Sequence, residues 1–366
     1  MIRKIISNLS LHRTNAVSLK QGRRILYIES DDWGMLRMRS NDVKSSLIEK
    51  GYPIDDCIFN SYDRLENNED VQSLSEVLHS VTDQHGRPGL MILNNIVGNP
   101  DFEKIKDSDF NQYYVQPFTI TYKQYNDTGR VTTLINEGIR TGCFLPQFHG
   151  REHVHINNWM NDLKSKQKTA TDGFEAGMFT ITSGIGSDCK KEYLDAMSVY
   201  TSMDLNTISE SISEGLKMFS DTWGFSSVSA IAPCYMWNND VEAVFHQHQV
   251  SVLQSGRAQI IPGVNGNSIK RRSTGEKNVF GQMYTVRNVY FEPSTNKNSD
   301  WVDYGLSQIK NAFFWGAPAI INSHRVNYIG SLDPKNRDFG LKSLQKLLAE
   351  VKKYWPDVEF VHPFIH

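Results

Sequence analysis

The sequence predicts an α/β chain whose parallel strands close into a barrel beneath a coat of helices. Short runs rich in β-branched or aromatic residues alternate with longer amphipathic segments, the pattern of βα units around a parallel sheet. Seven or eight such repeats fit within the 366 residues, a length that buries a sizeable core without covalent staples. No Pro-rich linker, low-complexity tract or charge block divides them into independent domains.

The strands are expected at residues 25–29, 90–93, 143–148, 227–232, 250–254, 282–290, 317–322 and 358–361. Between them, amphipathic segments place helices at 40–50, 71–81, 131–140, 190–200, 209–223, 240–248, 301–314 and 341–354. Residues 99–127, dense in Asn, Asp, Tyr and Gln, read as a long insertion, and 263–276, rich in Gly, Asn, Ser and basic side chains, as a mobile loop. Residues 1–22 form an N-terminal extension, and 23–366 a single barrel.

Composition narrows the function classes. With 39 basic against 41 acidic side chains, the formal charge of -2 offers no electrostatic reason to bind nucleic acid or an anionic membrane. No apolar run approaches the roughly 20 residues of a spanning helix. The basic start is interrupted by Ser7, Asn8, His12 and Arg13 before a signal-peptide core can form, and Cys57, Cys143, Cys189 and Cys234 show no two-residue spacing. A cytoplasmic protein with reduced, mostly buried thiols is the expectation.

In a parallel barrel the chemistry sits at the carboxyl ends of the strands. The first strand runs into Glu29-Ser30-Asp31-Asp32-Trp33-Gly34, where two adjacent acids need a cation or positive partner if both are buried. An N-cap or turn is the alternative reading of that pair. The third strand ends in His149-Gly150-Arg151-Glu152-His153-Val154-His155. In a helical turn, His149 and His153 share one face and suit a divalent metal, whereas in a strand His153 and His155 lie together. His246 and His248 diverge on a helix and read as surface residues. The fourth strand leads into Ala232-Pro233-Cys234-Tyr235-Met236-Trp237, a turn able to offer a backbone N–H to an oxyanion, or simply to pack at the mouth. The seventh ends in Asn322-Ser323-His324-Arg325, where His324 is a candidate acid. Trp33, Tyr235 and Trp237 supply flat rings that suit sugar faces.

Taken in order, Asp-Asp, His-x-x-x-His, Pro-x-Tyr and a late strand-end His resemble the motif series of the polysaccharide deacetylases, the NodB-homology or carbohydrate esterase family 4 group. The resemblance runs from residue 25 to about residue 330, and implies a distorted (β/α)7 barrel, TIM-like in plan. It implies a divalent metal, zinc above all, with cobalt, nickel or manganese as alternatives, held by Asp32, His149 and His153. Asp31 is then the catalytic base and His324 the general acid, while the Tyr235 backbone N–H and the metal meet the oxyanion. The implied reaction removes an N- or O-linked acetyl group from a sugar or polysaccharide precursor. Within the group the chain is similar to a divergent branch associated with surface-polysaccharide biosynthesis.

Two departures stand out. The family's turn opens with an Arg that pairs with the base, where this sequence has Ala232; Arg257, beyond the fifth strand, is the candidate substitute at the mouth. The segment that orients the acid His has no counterpart at its usual place. A carbohydrate-binding protein that has lost catalysis is therefore the second reading. The third is a glycoside hydrolase pairing Asp31 with Glu152 or Glu292, which needs no metal.

Overall fold

In a computed structural model of the chain, which describes residues 2–182, 189–263 and 266–365 (2–8 as backbone only), twelve strands are formed. They are β1 (Leu26–Trp33), β2 (Met91–Ile96), β3 (Gly98–Pro100), β4 (Val115–Pro117), β5 (Phe144–Gly150), β6 (Ser229–Ile231), β7 (Val252–Ser255), β8 (Ala258–Ile261), β9 (Ser268–Arg271), β10 (Met283–Val286), β11 (Val289–Tyr290) and β12 (Ala319–His324). Eight of them make one parallel sheet in the order β10-β7-β6-β5-β2-β1-β12-β11.

β10 and β11 are two halves of one run. Through Val286 it pairs with β7, and from Val289 it pairs with β12, so this bent segment joins the two edges of the sheet. Counted this way, seven parallel strands form the distorted (β/α)7 barrel. Asn288 holds the changeover: its amide nitrogen donates to the Pro318 carbonyl, and its oxygen accepts from the Ile320 N–H at 2.8 Å. A backbone N–H that would otherwise be orphaned by the partner switch is thereby satisfied.

Helices cover the sheet where the sequence repeats apolar residues at helical spacing. Thr201 and Asp204 form a capping box at the start of the helix Ser202–Trp223, which begins seven residues earlier than expected because the cap lies at Thr201. The helix Trp301–Phe314 matches its expected bounds. The extension folds as a helix, Ile2–Val17, whose Asn15 accepts from Asn288 and donates to Asn311.

Several expectations are corrected. Residues 358–361 make no strand, only an isolated bridge between Ile25 and Glu359. Residues 190–200 make no helix; side-chain bonds from Tyr200 to Asp195 and from Thr180 to Glu192 hold them as an irregular wall. The expected mobile loop 263–276 contains β9, paired antiparallel with β8 and tied by Arg272 to Gln259; its Val264 and Asn265 lie outside the described residues. The insertion 99–127 contains the β3–β4 pairing and short helices at Phe102–Asp107 and Phe118–Tyr122. Helices at Ile156–Lys164 and Lys168–Glu175 carry no counterpart in the sequence reading. Among the described residues, no helix is long and apolar enough to cross a membrane.

Candidate active site

β1 carries the two acids further along the strand than expected, and its pairing with β2 shifts register between Ser30 and Trp33. In a regular strand, neighbours point to opposite faces. Here Asp32 takes φ 77°, a left-handed conformation that Asp tolerates better than most residues, and both Asp31 and Asp32 line one cavity of about 360 Å³. Gly34 completes the turn at φ 84°, where a Cβ would meet the Ile96 carbonyl oxygen at 2.4 Å.

His149 sits at the end of β5 and His153 in the turn beyond it, so a bend after Gly150, and not a helix, brings the two rings to 5.1 Å. Their Nε2 atoms lie 3.5 and 3.6 Å from Asp32 Oδ1. His155 goes elsewhere: it caps the helix Ile156–Lys164, with Nε2 3.0 Å from the Ser198 carbonyl. The donor chemistry of Asp32, His149 and His153 fits a divalent cation. His149 Nδ1 lies 3.0 Å from the Ile231 carbonyl, a contact that leaves Nε2 free to ligate, and the buried Nδ1 of His153 has no hydrogen-bond partner among the described residues. Burial pushes His153 down to about 4, keeping it neutral. Burial opposes ionisation of Asp32, but the His149 hydrogen bond and neighbouring His charges outweigh it and hold the carboxyl low.

Asp31 lies beside His324 across the β1–β12 ladder. An arginine does clamp this carboxylate, and it is Arg287, at the bend between β10 and β11. Its Nη1 donates to Asp31 Oδ2 at 2.7 Å and its Nη2 to Oδ1 at 2.6 Å, while Nε donates to Glu29 at 2.7 Å. Asn94 adds a bond to Asp31 Oδ1 at 2.8 Å and is itself held by Gln254. Burial raises both acids; Arg287 overrides it at Asp31, bringing it down to about 2, but not at Glu29, which stays up at about 7. Arg257 does not line the cavity, which corrects the expectation that it replaces the missing arginine.

His324 has its own partner. Nδ1 lies 2.6 Å from Glu292 Oε1, and Nε2 lies 3.9 Å from Asp31 Oδ2. Burial works against its protonation, but the Glu292 charge and hydrogen bond prevail and raise it to about 10. Glu292 is held in turn by Asn327, whose amide donates to Oε2 at 2.6 Å.

The remaining sequence candidates divide. The Tyr235 N–H donates to the Ala232 carbonyl at 3.1 Å, so it is already engaged and is not the expected oxyanion donor. The Tyr235 hydroxyl donates to Asn322 Oδ1 at 3.0 Å and accepts from Arg287, and its ring lines the cavity. Trp33 and Trp237 are core residues, their indole N–H groups bonded to Ser30 and Glu242, and neither faces the cavity. Phe59 and Tyr290 supply aromatic surface there instead. Glu152 is turned away onto Arg151 and Ser211. His246 and His248 are exposed.

Arg287, Glu292 in its orienting role, Asn94 and Gln254 were missed by sequence reasoning. A lone charge inside the otherwise uncharged strand-like run 282–290 is the one signal that could have drawn attention to Arg287.

No protein-family model and no curated protein matches the chain. Solved structures similar to it include a putative polysaccharide deacetylase from Mycobacterium smegmatis, with 12% identity over 94% of this chain and 89% of that one, at TM-score 0.42. A probable polysaccharide deacetylase from Pseudomonas aeruginosa PAO1 shows 9% identity over 93% of this chain and 88% of that one, at 0.46. A pseudoenzyme of carbohydrate esterase family 4 from Bacillus anthracis shows 8% identity over 92% of this chain and 63% of that one, at 0.37.

Proposed function

We propose that this chain is a metal-dependent hydrolase that removes an acetyl group, N- or O-linked, from a sugar. The observation that carries the reading is the meeting, in one cavity, of a cation-type donor set with an ionised carboxylate and a protonated imidazole. The order of sequence motifs, which resembles that of polysaccharide deacetylases, supplies the acyl-sugar class.

When bound by Asp32, His149 and His153, a divalent cation, zinc foremost, supplies Lewis acidity toward water and toward an acyl oxygen. Asp31, held ionised by Arg287, accepts a proton from the attacking water. His324 donates a proton to the departing nitrogen or oxygen, with Glu292 fixing Nδ1 so that Nε2 faces Asp31 and the cavity. Arg287 and Glu292 are positioning residues. Their presence supplies the arginine partner that Ala232 lacks and supports an active enzyme over a carbohydrate-binding protein that has lost catalysis. A carboxylate-pair glycosidase is disfavoured, because the His324 ring stands between Asp31 and Glu292 and Glu152 faces away.

The test begins with metal content, measured by inductively coupled plasma mass spectrometry on wild type beside a His149→Ala, His153→Ala double variant. Near one equivalent, lost in the variant, is expected. Acetate release from acetylated sugars follows, and Asp31→Asn is expected to lower it about a hundredfold to ten-thousandfold while keeping the metal. Wild type that stays empty after incubation with zinc, cobalt, nickel and manganese would overturn the reading.

A further inference from the structure

Arg37 lines the same cavity and has no role in the chemistry above. Its place is well determined: the Leu36 N–H donates to Asn99 Oδ1 at 2.7 Å and the Met38 N–H to the Asp63 carbonyl at 3.1 Å, so the backbone is held on both sides of it. The residue is 6% exposed. Its guanidinium carbon lies 5.7 Å from the Phe59 ring centre and 6.0 Å from that of Phe179. Nε is buried with no hydrogen-bond partner, and among the described residues Arg37 forms no hydrogen bond and no ion pair.

That is a costly way to bury a guanidinium. The Nε donor leaves water without a partner on a largely buried charge, and two aromatic faces return only part of the loss. The other buried arginines nearby are treated differently: Arg287 is neutralised by Asp31 and Glu29, and Arg325 by Asp63 and Glu66. Glu192, the remaining acid of the cavity wall, accepts a hydrogen bond from Thr180 and is not paired with Arg37. An unpaired buried cation beside an open cavity is a site waiting for an anion.

We propose that Arg37 binds an oxyanion substituent of the substrate, so that the sugar taken by this cavity is anionic. The inference rests on the acyl-sugar reading above and narrows it. The Phe59 ring touches both groups: its centre lies 5.7 Å from the Arg37 guanidinium carbon and 5.2 Å from the centre of the His324 imidazole, which it meets edge-on. Arg37, Phe59 and His324 line the same cavity, so one ligand can meet the guanidinium and the acid together. Carboxylate and phosphate share the chemistry that a guanidinium fork recognises.

Isothermal titration of the metal-loaded protein separates these sources. The probes are N-acetylglucosamine, N-acetylglucosaminuronate and N-acetylglucosamine 6-phosphate, each with wild type, Arg37→Gln and Arg37→Lys. Wild type is expected to bind at least one anionic sugar about tenfold or more tightly than the neutral one, and whichever anion gains identifies the group. Arg37→Gln should erase that preference while leaving the neutral sugar unchanged, and Arg37→Lys should keep part of it as a point charge. Arg37→Gln should also melt no lower than wild type, since it removes a buried charge that has no hydrogen bond or ion pair among the described residues, whereas a structural arginine would lower the melting temperature.

Equal binding of all three sugars, no binding of any at millimolar concentration, or an anion preference that survives in Arg37→Gln through direct metal coordination would each overturn the proposal. Acetate release from the same sugars is scored separately. Its absence alongside an Arg37-dependent preference would defeat the hydrolase reading and leave the anion site standing.

Discussion

Asp31 and His324 face each other with 3.9 Å between Oδ2 and Nε2, and each is tied from behind by a group of opposite charge. Burial pushes both towards neutrality, yet Arg287 brings Asp31 down to about 2 and Glu292 lifts His324 to about 10. Over the range between those values one is a carboxylate and the other an imidazolium, the charge states that the proposed base and acid roles require. Loss of the Glu292 charge lowers the His324 value, because it is the charged imidazolium that Glu292 stabilises. Glu292→Gln should therefore move the alkaline limb of the kcat/KM profile to lower pH, and an unmoved limb would show that the limb belongs to another group. Arg287→Gln should lower kcat about tenfold to a hundredfold with metal content unchanged, since Arg287 touches none of the three cation donors. Arg287→Lys should recover only part, because an ammonium cannot span both carboxylate oxygens.

The element that decides the site is the bent run 283–290. Arg287 still donates its N–H to the Ser255 carbonyl of β7 at 2.9 Å, and its side chain shares a face with Thr285, both reaching Glu29, just before the run passes to β12. Asn288 makes the bend tolerable by accepting the Ile320 N–H and donating to the Pro318 carbonyl. Asn288→Ala leaves that buried N–H without its acceptor and should cost about 1–3 kcal/mol, measured by urea unfolding. It should also reduce turnover more than it reduces metal binding, since the disturbed neighbour is Arg287 and not Asp32, His149 or His153. The bulge in β1 works in the same way at the other side of the cavity: the register shift before Trp33 sets two adjacent acids on one face.

Across the whole molecule, closure of the ring brings seven strand ends into one mouth, and a cation held there as proposed would link elements far apart in sequence. Because such a cation binds the folded chain, its addition should raise the melting temperature, by the equivalent of about 2.7 kcal/mol at a hundredfold excess over Kd; a chelator should reverse it and the His149→Ala, His153→Ala variant should not respond. Much of this plan was legible in the sequence. The alternation of apolar runs with amphipathic segments reports the βα order, and Asp32, His149 and His153 stand out because they cluster locally at strand ends, which the fold then brings together. The 190–200 and 358–361 segments were misread because an apolar run looks alike whether it joins a helix, a strand or an irregular wall. Tertiary structure alone decided which arginine serves Asp31, which acid serves His324, and that Trp33 and Trp237 belong to the core. The physical reason is that local periodicity is written between chain neighbours, whereas a charge partner is chosen across the barrel. Arg287 lies 256 residues from Asp31, and only the closing bend of the sheet makes them adjacent.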